Sequence, residues 1–65
     1  MKSIREIVEA FGGPRPMARL LGYPPSTVMS WARRDIVPSR HIPVILRAAE
    51  KKGIKLAPAD FFEAA

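Results

Sequence analysis

The pattern Ala18-x₃-Gly22-x₅-Val28-x₂-Trp31 constrains this chain more than any other feature. It lies inside the stretch RPMARLLGYPPSTVMSWARR. Ala18 is small, so a following helix can come close to the one that carries it. Gly22 stands where the first helix must stop and the backbone turn sharply, a position that often needs a positive φ. Val28 and Trp31 are three apart, so on a second helix they share one face and pack back on the first. Two short helices at a steep angle meet these requirements. That unit is a helix-turn-helix, whose second helix commonly enters a DNA major groove.

The rest of the chain predicts more helix. Ser3 and Glu6 have the spacing of a capping box. Ile4, Ile7, Val8 and Phe11 follow at i, i+3, i+4 and i+7, an amphipathic helix over about residues 3–11. Gly12-Gly13-Pro14 ends it, and a second helix runs over 14–21 with proline in its first turn. Gly22-Tyr23-Pro24-Pro25 is the turn, and a third helix covers about 25–34. Pro43 is awkward deep inside a helix. The fourth helix should therefore be regular from near Ile42 to Lys52, after a tight turn through Pro38–His41, and stop at Gly53. Residues 58–62 could add a short final helix, with Ala57 near its cap. Nothing alternates with period two. The expected fold is all-α, four to five short helices in a single domain over 1–65, with the helix-turn-helix at about 14–34.

A chain of 65 residues has only a small core to bury. It has no cysteine, so disulfides and thiolate metal sites are excluded. Good helix packing or self-association must supply the stability. The apolar share of 48% suits a globular domain rather than a disordered one. No apolar run approaches the roughly 20 residues that a membrane span needs. The N-terminal MKSIREIVEA is amphipathic and acidic in part, unlike a signal peptide. The expected location is the cytoplasm.

The net charge is +5, and its placement is informative. Lys2 and Arg5 are balanced by Glu6 and Glu9. From Arg15 onward, Arg19, Arg33, Arg34, Arg40, Arg47, Lys51, Lys52 and Lys55 face only Asp35 and Glu50 before residue 56. Positive charge thus centres on the helix-turn-helix and the segment after it, which points to a polyanionic partner. Arg47, Lys51 and Lys52 also fit a plain solvated face.

If Val28 and Trp31 are buried, the third helix offers its other side to base edges. The expected base-contacting residues are Pro25, Ser26, Thr27, Met29, Ser30 and Arg33. Serine and threonine can donate or accept there, methionine can meet a thymine methyl, and arginine can fork onto guanine. Arg15, Arg19, Arg34 and Arg40 are expected on phosphates, which fix register and supply most of the affinity. Arg15 sits at the start of the second helix, where backbone N–H groups and the helix dipole favour anions. Two of these have competing roles: Arg19 could pair with Glu6 or Glu9, and Arg33 could cap carbonyls at a helix end. Trp31 suits core packing better than base stacking. Of the adjacent Phe61 and Phe62, one can enter the core while the other stays exposed.

Catalytic chemistry is poorly served. His41 is the only histidine and reads as a surface or phosphate-facing residue. No glycine-rich phosphate loop and no metal-ligand cluster can be assembled, so no enzyme activity, cofactor, metal or small-molecule ligand is expected.

These residues carry a family resemblance. Ala18-Arg19-Leu20-Leu21-Gly22, Pro25-Ser26-Thr27-Val28-Met29-Ser30-Trp31 and Val37-Pro38-Ser39-Arg40 resemble the Cro/cI-like helix-turn-helix proteins of phages and prophages. Pro43-Val44-Ile45, Gly53 and the run from Leu56 to Phe61 are similar to the YdaS-like antitoxin group of small Cro-type regulators. The resemblance covers most of the chain from about Phe11. It implies a lambda-repressor-like fold of five helices that binds operator DNA as a dimer and represses transcription. By position it places Ser26, Thr27 and Ser30 at bases. The chain departs from the family at Pro24-Pro25, where a polar residue, often glutamine, is usual, and at Pro14-Arg15, where glutamine is frequent.

The leading expectation is a sequence-specific regulator that binds double-stranded DNA as a homodimer. One recognition helix covers only about 4–5 base pairs, whereas two half-sites about 34 Å apart give usable selectivity. The start of the fourth helix and the Leu56–Phe62 segment are the candidate dimer surfaces. The other reading is an antitoxin or phage adaptor that binds protein, which would require an exposed apolar patch.

Overall fold

The computed structural model describes residues 3–61, and these form four α-helices and two 3₁₀ turns, with no strand among them. Helix α1 is Ile4–Ala10, α2 is Pro14–Leu21, α3 is Pro25–Arg34 and α4 is Ile42–Lys52. The 3₁₀ turns are Ser39–His41, which leads directly into α4, and Pro58–Phe61. The last of these is the short final helix expected at 58–62, in 3₁₀ form; Phe62 lies outside the described residues. No helix among the described residues is long and apolar enough to cross a membrane.

The first helix forms for the reasons its spacing gives. The Ser3 hydroxyl accepts the Glu6 N–H at 3.1 Å and donates to the Glu6 carboxylate at 3.3 Å. Ile4, Ile7, Val8 and Phe11 are all buried. They meet Met17 and Ala18 of α2, Val28 and Trp31 of α3, Val37 of the connector, and Ile42, Ile45, Ala48 and Ala49 of α4 in one core. No buried polar or charged residue interrupts it among the described residues. Leu21, Tyr23, Leu46, Ile54, Leu56 and Phe61 pack around its edge, half-buried.

Three helices stop by one device. Each ends on a left-handed residue: Gly22 after α2 at φ 79°, Asp35 after α3 at φ 57°, and Gly53 after α4 at φ 72°. In each case the next N–H also folds back to the same carbonyl. Tyr23 and Gly22 share Ala18, Ile36 and Asp35 share Trp31, and Ile54 and Gly53 share Ala49. This pairing satisfies carbonyls that a helix end leaves without intrahelical partners. At Gly22 the device sets the sharp turn between α2 and α3. A Cβ there would meet open space, so the need for glycine is conformational rather than steric crowding.

Asp35 is the exception among the three, and its side chain explains why a glycine does not stand there. Its Oδ1 accepts the backbone N–H of Ile4 at 2.9 Å, across 31 positions of sequence. One carboxylate therefore caps the start of α1 while its own backbone ends α3. The negative charge also sits at the positive end of the α1 dipole. In the sequence Asp35 stands out only as one of two acids among the basic residues; its role depends on a contact far away in the chain.

The Asp35 variants separate the two roles. Asp35→Asn keeps an acceptor and tolerates the left-handed conformation, so it should cost well under 1 kcal/mol beyond the dipole term. Asp35→Gly removes only the side-chain bond, and Asp35→Ala adds backbone strain, so Ala should be the worst, at about 2–3 kcal/mol. Urea midpoints for the three variants check this order; Gly falling below Ala would contradict it.

Candidate nucleic-acid interface

Helix α3 turns about 100° per residue. With Val28 fully buried and Trp31 only 5% exposed, its inward direction is set. The opposite side centres on Ser26, Met29, Ser30 and Arg33, a stripe at i, i+3, i+4 and i+7. Ser26, Met29 and Arg33 are exposed, Met29 by 52%, and Ser30 is half-buried. Pro25 is exposed at the mouth of the helix. Thr27 departs from the expected outward set: it is half-buried and lies toward the flank that carries Trp31. Arg34 is exposed on the same flank as Thr27, away from the centre of the stripe.

The structure brings several expected contacts together. Arg15 and Arg19, one turn apart on α2, line a shallow depression with Pro25 and Met29 of α3, floored by Tyr23. Both arginines are exposed. Among the described residues neither Glu6 nor Glu9 pairs with Arg19, so its guanidinium is available. Arg40 is exposed on the 3₁₀ turn before α4 and does not line this depression.

The proline content changes how anions could be held. Pro14 and Pro16 occupy the first turn of α2, and the N–H of Met17 is bonded to the Gly13 carbonyl. Arg15 alone is left with a backbone donor in that turn. The expected cluster of N–H groups at this helix start is therefore not there, and the arginine side chains must do that work. The same holds for α3, where Pro24 is the cap, Pro25 the first helical residue, and the Thr27 N–H returns to the Pro24 carbonyl at 3.0 Å.

Behind the stripe is an aromatic cluster that the sequence reading missed. Tyr23 from the turn packs edge-on against Trp31, with ring centres 5.8 Å apart. His41 meets both rings, at 5.1 Å from Tyr23 and 5.3 Å from Trp31. The Tyr23 hydroxyl and His41 Nδ1 are hydrogen-bonded at 3.0 Å. Arg40 Nε lies 3.5 Å from His41 Nε2, on the outer side of the ring. His41 is thus half-buried and engaged with its neighbours, which corrects its reading as a surface or phosphate-facing residue. The only signal in the sequence was an aromatic residue inside the turn; its partner is 18 positions away. The cluster ties the turn, α3 and the entry to α4 into one unit. Among the described residues no group of acids, histidine or cysteine could hold a metal ion.

No protein-family model, curated protein or solved structure matches the chain.

Trp31→Ala should abolish cooperative folding, because loss of a buried tryptophan costs about 3–5 kcal/mol, much of what a domain this small has. Trp31→Phe should retain a helical, cooperatively melting domain of lower midpoint. Thermal melts followed by circular dichroism decide it. An alanine variant that melts like the wild type while failing on DNA would instead make Trp31 a stacking residue.

Proposed function

We propose that this chain is a cytoplasmic, sequence-specific regulator that binds double-stranded DNA, with α2 and α3 as a lambda-repressor-like helix-turn-helix. In this reading it acts as a Cro-like repressor and binds a palindromic operator as a homodimer. The observation that carries the reading is that Met29 of the outward Ser26–Met29–Ser30–Arg33 stripe shares one depression with Pro25 and with Arg15 and Arg19 of α2. The helix that bears the stripe is held by Ala18, Val28 and Trp31 in the core and by the left-handed turn at Gly22.

The roles divide by chemistry. Ser26, Ser30 and Arg33 have donors and acceptors suited to base edges in a major groove, and Met29 offers apolar contact to a thymine methyl. Pro25, lacking an N–H, contributes shape at the helix mouth. Thr27, on the half-buried flank, can reach only the edge of such a groove. Arg15 and Arg19 would grip the backbone on the α2 side, and Arg34 and Arg40 the backbone on the other. With few backbone donors at the helix starts, these cations carry the phosphate term.

Selection from random duplexes tests the class directly. A palindromic consensus with half-sites about one helical turn apart is expected, and absence of any enrichment would sink the reading. On the selected site, Ser30→Ala with Arg33→Ala should lose discrimination between bases while keeping non-specific affinity. Arg15→Ala should weaken specific and random duplexes alike and reduce the slope of log K against log salt by about one. A salt slope unchanged by Arg15→Ala would remove it from the phosphate contacts.

A further inference from the structure

A second surface lies between α2 and α4, separate from the α3 stripe and sharing only Arg19 with the depression described above. Leu20, Leu21, Val44, Arg47, Ala48 and Lys51 line one depression there. Phe11, Pro16, Arg19, Leu20 and Lys52 line the next. Leu20 belongs to both, so the two depressions adjoin at that side chain and together make a groove. Its floor is apolar: Leu20 is 40% exposed and Val44 36% exposed, two of the large apolar side chains that the described surface leaves open. Its rim is cationic, formed by Arg19, Arg47, Lys51 and Lys52, all exposed, with no acid among the lining residues.

Leu20 and Val44 share one depression with Arg47 and Lys51, and Leu20 shares the next with Arg19 and Lys52, an apolar floor beside cations that a merely solvated face does not require. DNA backbone suits the rim but not the floor, since phosphates gain nothing from Leu20 or Val44. We propose that this groove docks an acidic amphipathic helix of a partner protein. Its apolar stripe would cover Leu20, Val44 and Ala48, and its flanking aspartates or glutamates would meet Arg19, Arg47, Lys51 and Lys52. Helices commonly bind in this way, apolar anchors at i, i+3 or i+4 and i+7 seated in a groove and charges at the edge setting orientation. A second copy of this chain is a poor occupant. Its exposed acids on α1, Glu6 and Glu9, have no large exposed apolar residue on the same helix, and α4 sets a single acid, Glu50, on the helix of Val44 against four cations. The proposal does not depend on DNA binding, because the groove excludes α3.

Display selection of random peptides of about 16 residues, some four helical turns, on the full chain tests it. Enriched peptides should be acidic and carry leucine-like residues at helical spacing. Leu20→Ser with Val44→Ser should weaken a selected peptide at least about tenfold, through lost apolar contact. Lys51→Glu with Lys52→Glu changes only exposed side chains and should weaken it similarly. Resonances of Leu20, Val44 and Ala48 should move when the peptide is added. The proposal fails if no acidic peptide is enriched, or if an acidic peptide without apolar residues binds as well. It also fails if the shifts fall on Arg15 and α3 instead, or if the groove variants abolish self-association rather than peptide binding. Duplex binding by the Leu20→Ser, Val44→Ser variant should stay unchanged, so a failure of the DNA reading and a failure of this one are told apart.

Discussion

The packing of Trp31 is the contact on which the rest of the molecule depends. A chain this small has room for few large side chains in its core, and this one touches three parts of the fold. It sits on α3, meets Tyr23 of the turn edge-on and meets His41 at the entry to α4. The direction of α3, and so the direction of Ser26, Met29, Ser30 and Arg33, follows from how that indole is seated. Its backbone carbonyl also accepts both N–H groups that end α3. The same residue therefore fixes where the helix points and where it stops.

Much of this was open to a reading of residues in order. The stripe of Ile4, Ile7, Val8 and Phe11, the stop at Gly22 and the tight turn before Ile42 are local matters. Each depends on side-chain period or backbone conformation within a few positions, and each is found as expected. What escaped is long-range. Asp35 caps Ile4, and Tyr23 bonds His41, because the fold brings distant segments together. Neither aspartate nor histidine announces such a partner by spacing.

The candidate interface divides along the same line. Burial of Val28 and Trp31 was legible, and with it the outward stripe. The half-burial of Thr27 was not, since it depends on how closely the flank of α3 is approached. The shared depression of Arg15, Arg19, Pro25 and Met29 needed the angle between two helices, which no periodicity supplies. The loss of backbone donors at the start of α2 could have been read directly from Pro14 and Pro16, but only once the helix boundary was known.

Those prolines also act where no folded contact can show it. Helices α2, α3 and α4 each open with a proline in the first two positions. A pyrrolidine ring holds its φ near the helical value even in the unfolded chain, so each such residue has less conformational freedom to lose. Where the native geometry accepts the ring, this is worth about 0.4–1 kcal/mol per site. A cysteine-free chain of 65 residues thus has in its helix starts a restraint on the denatured ensemble of the kind a disulfide would impose. The first turn of each of these helices therefore has less backbone freedom to lose when it forms.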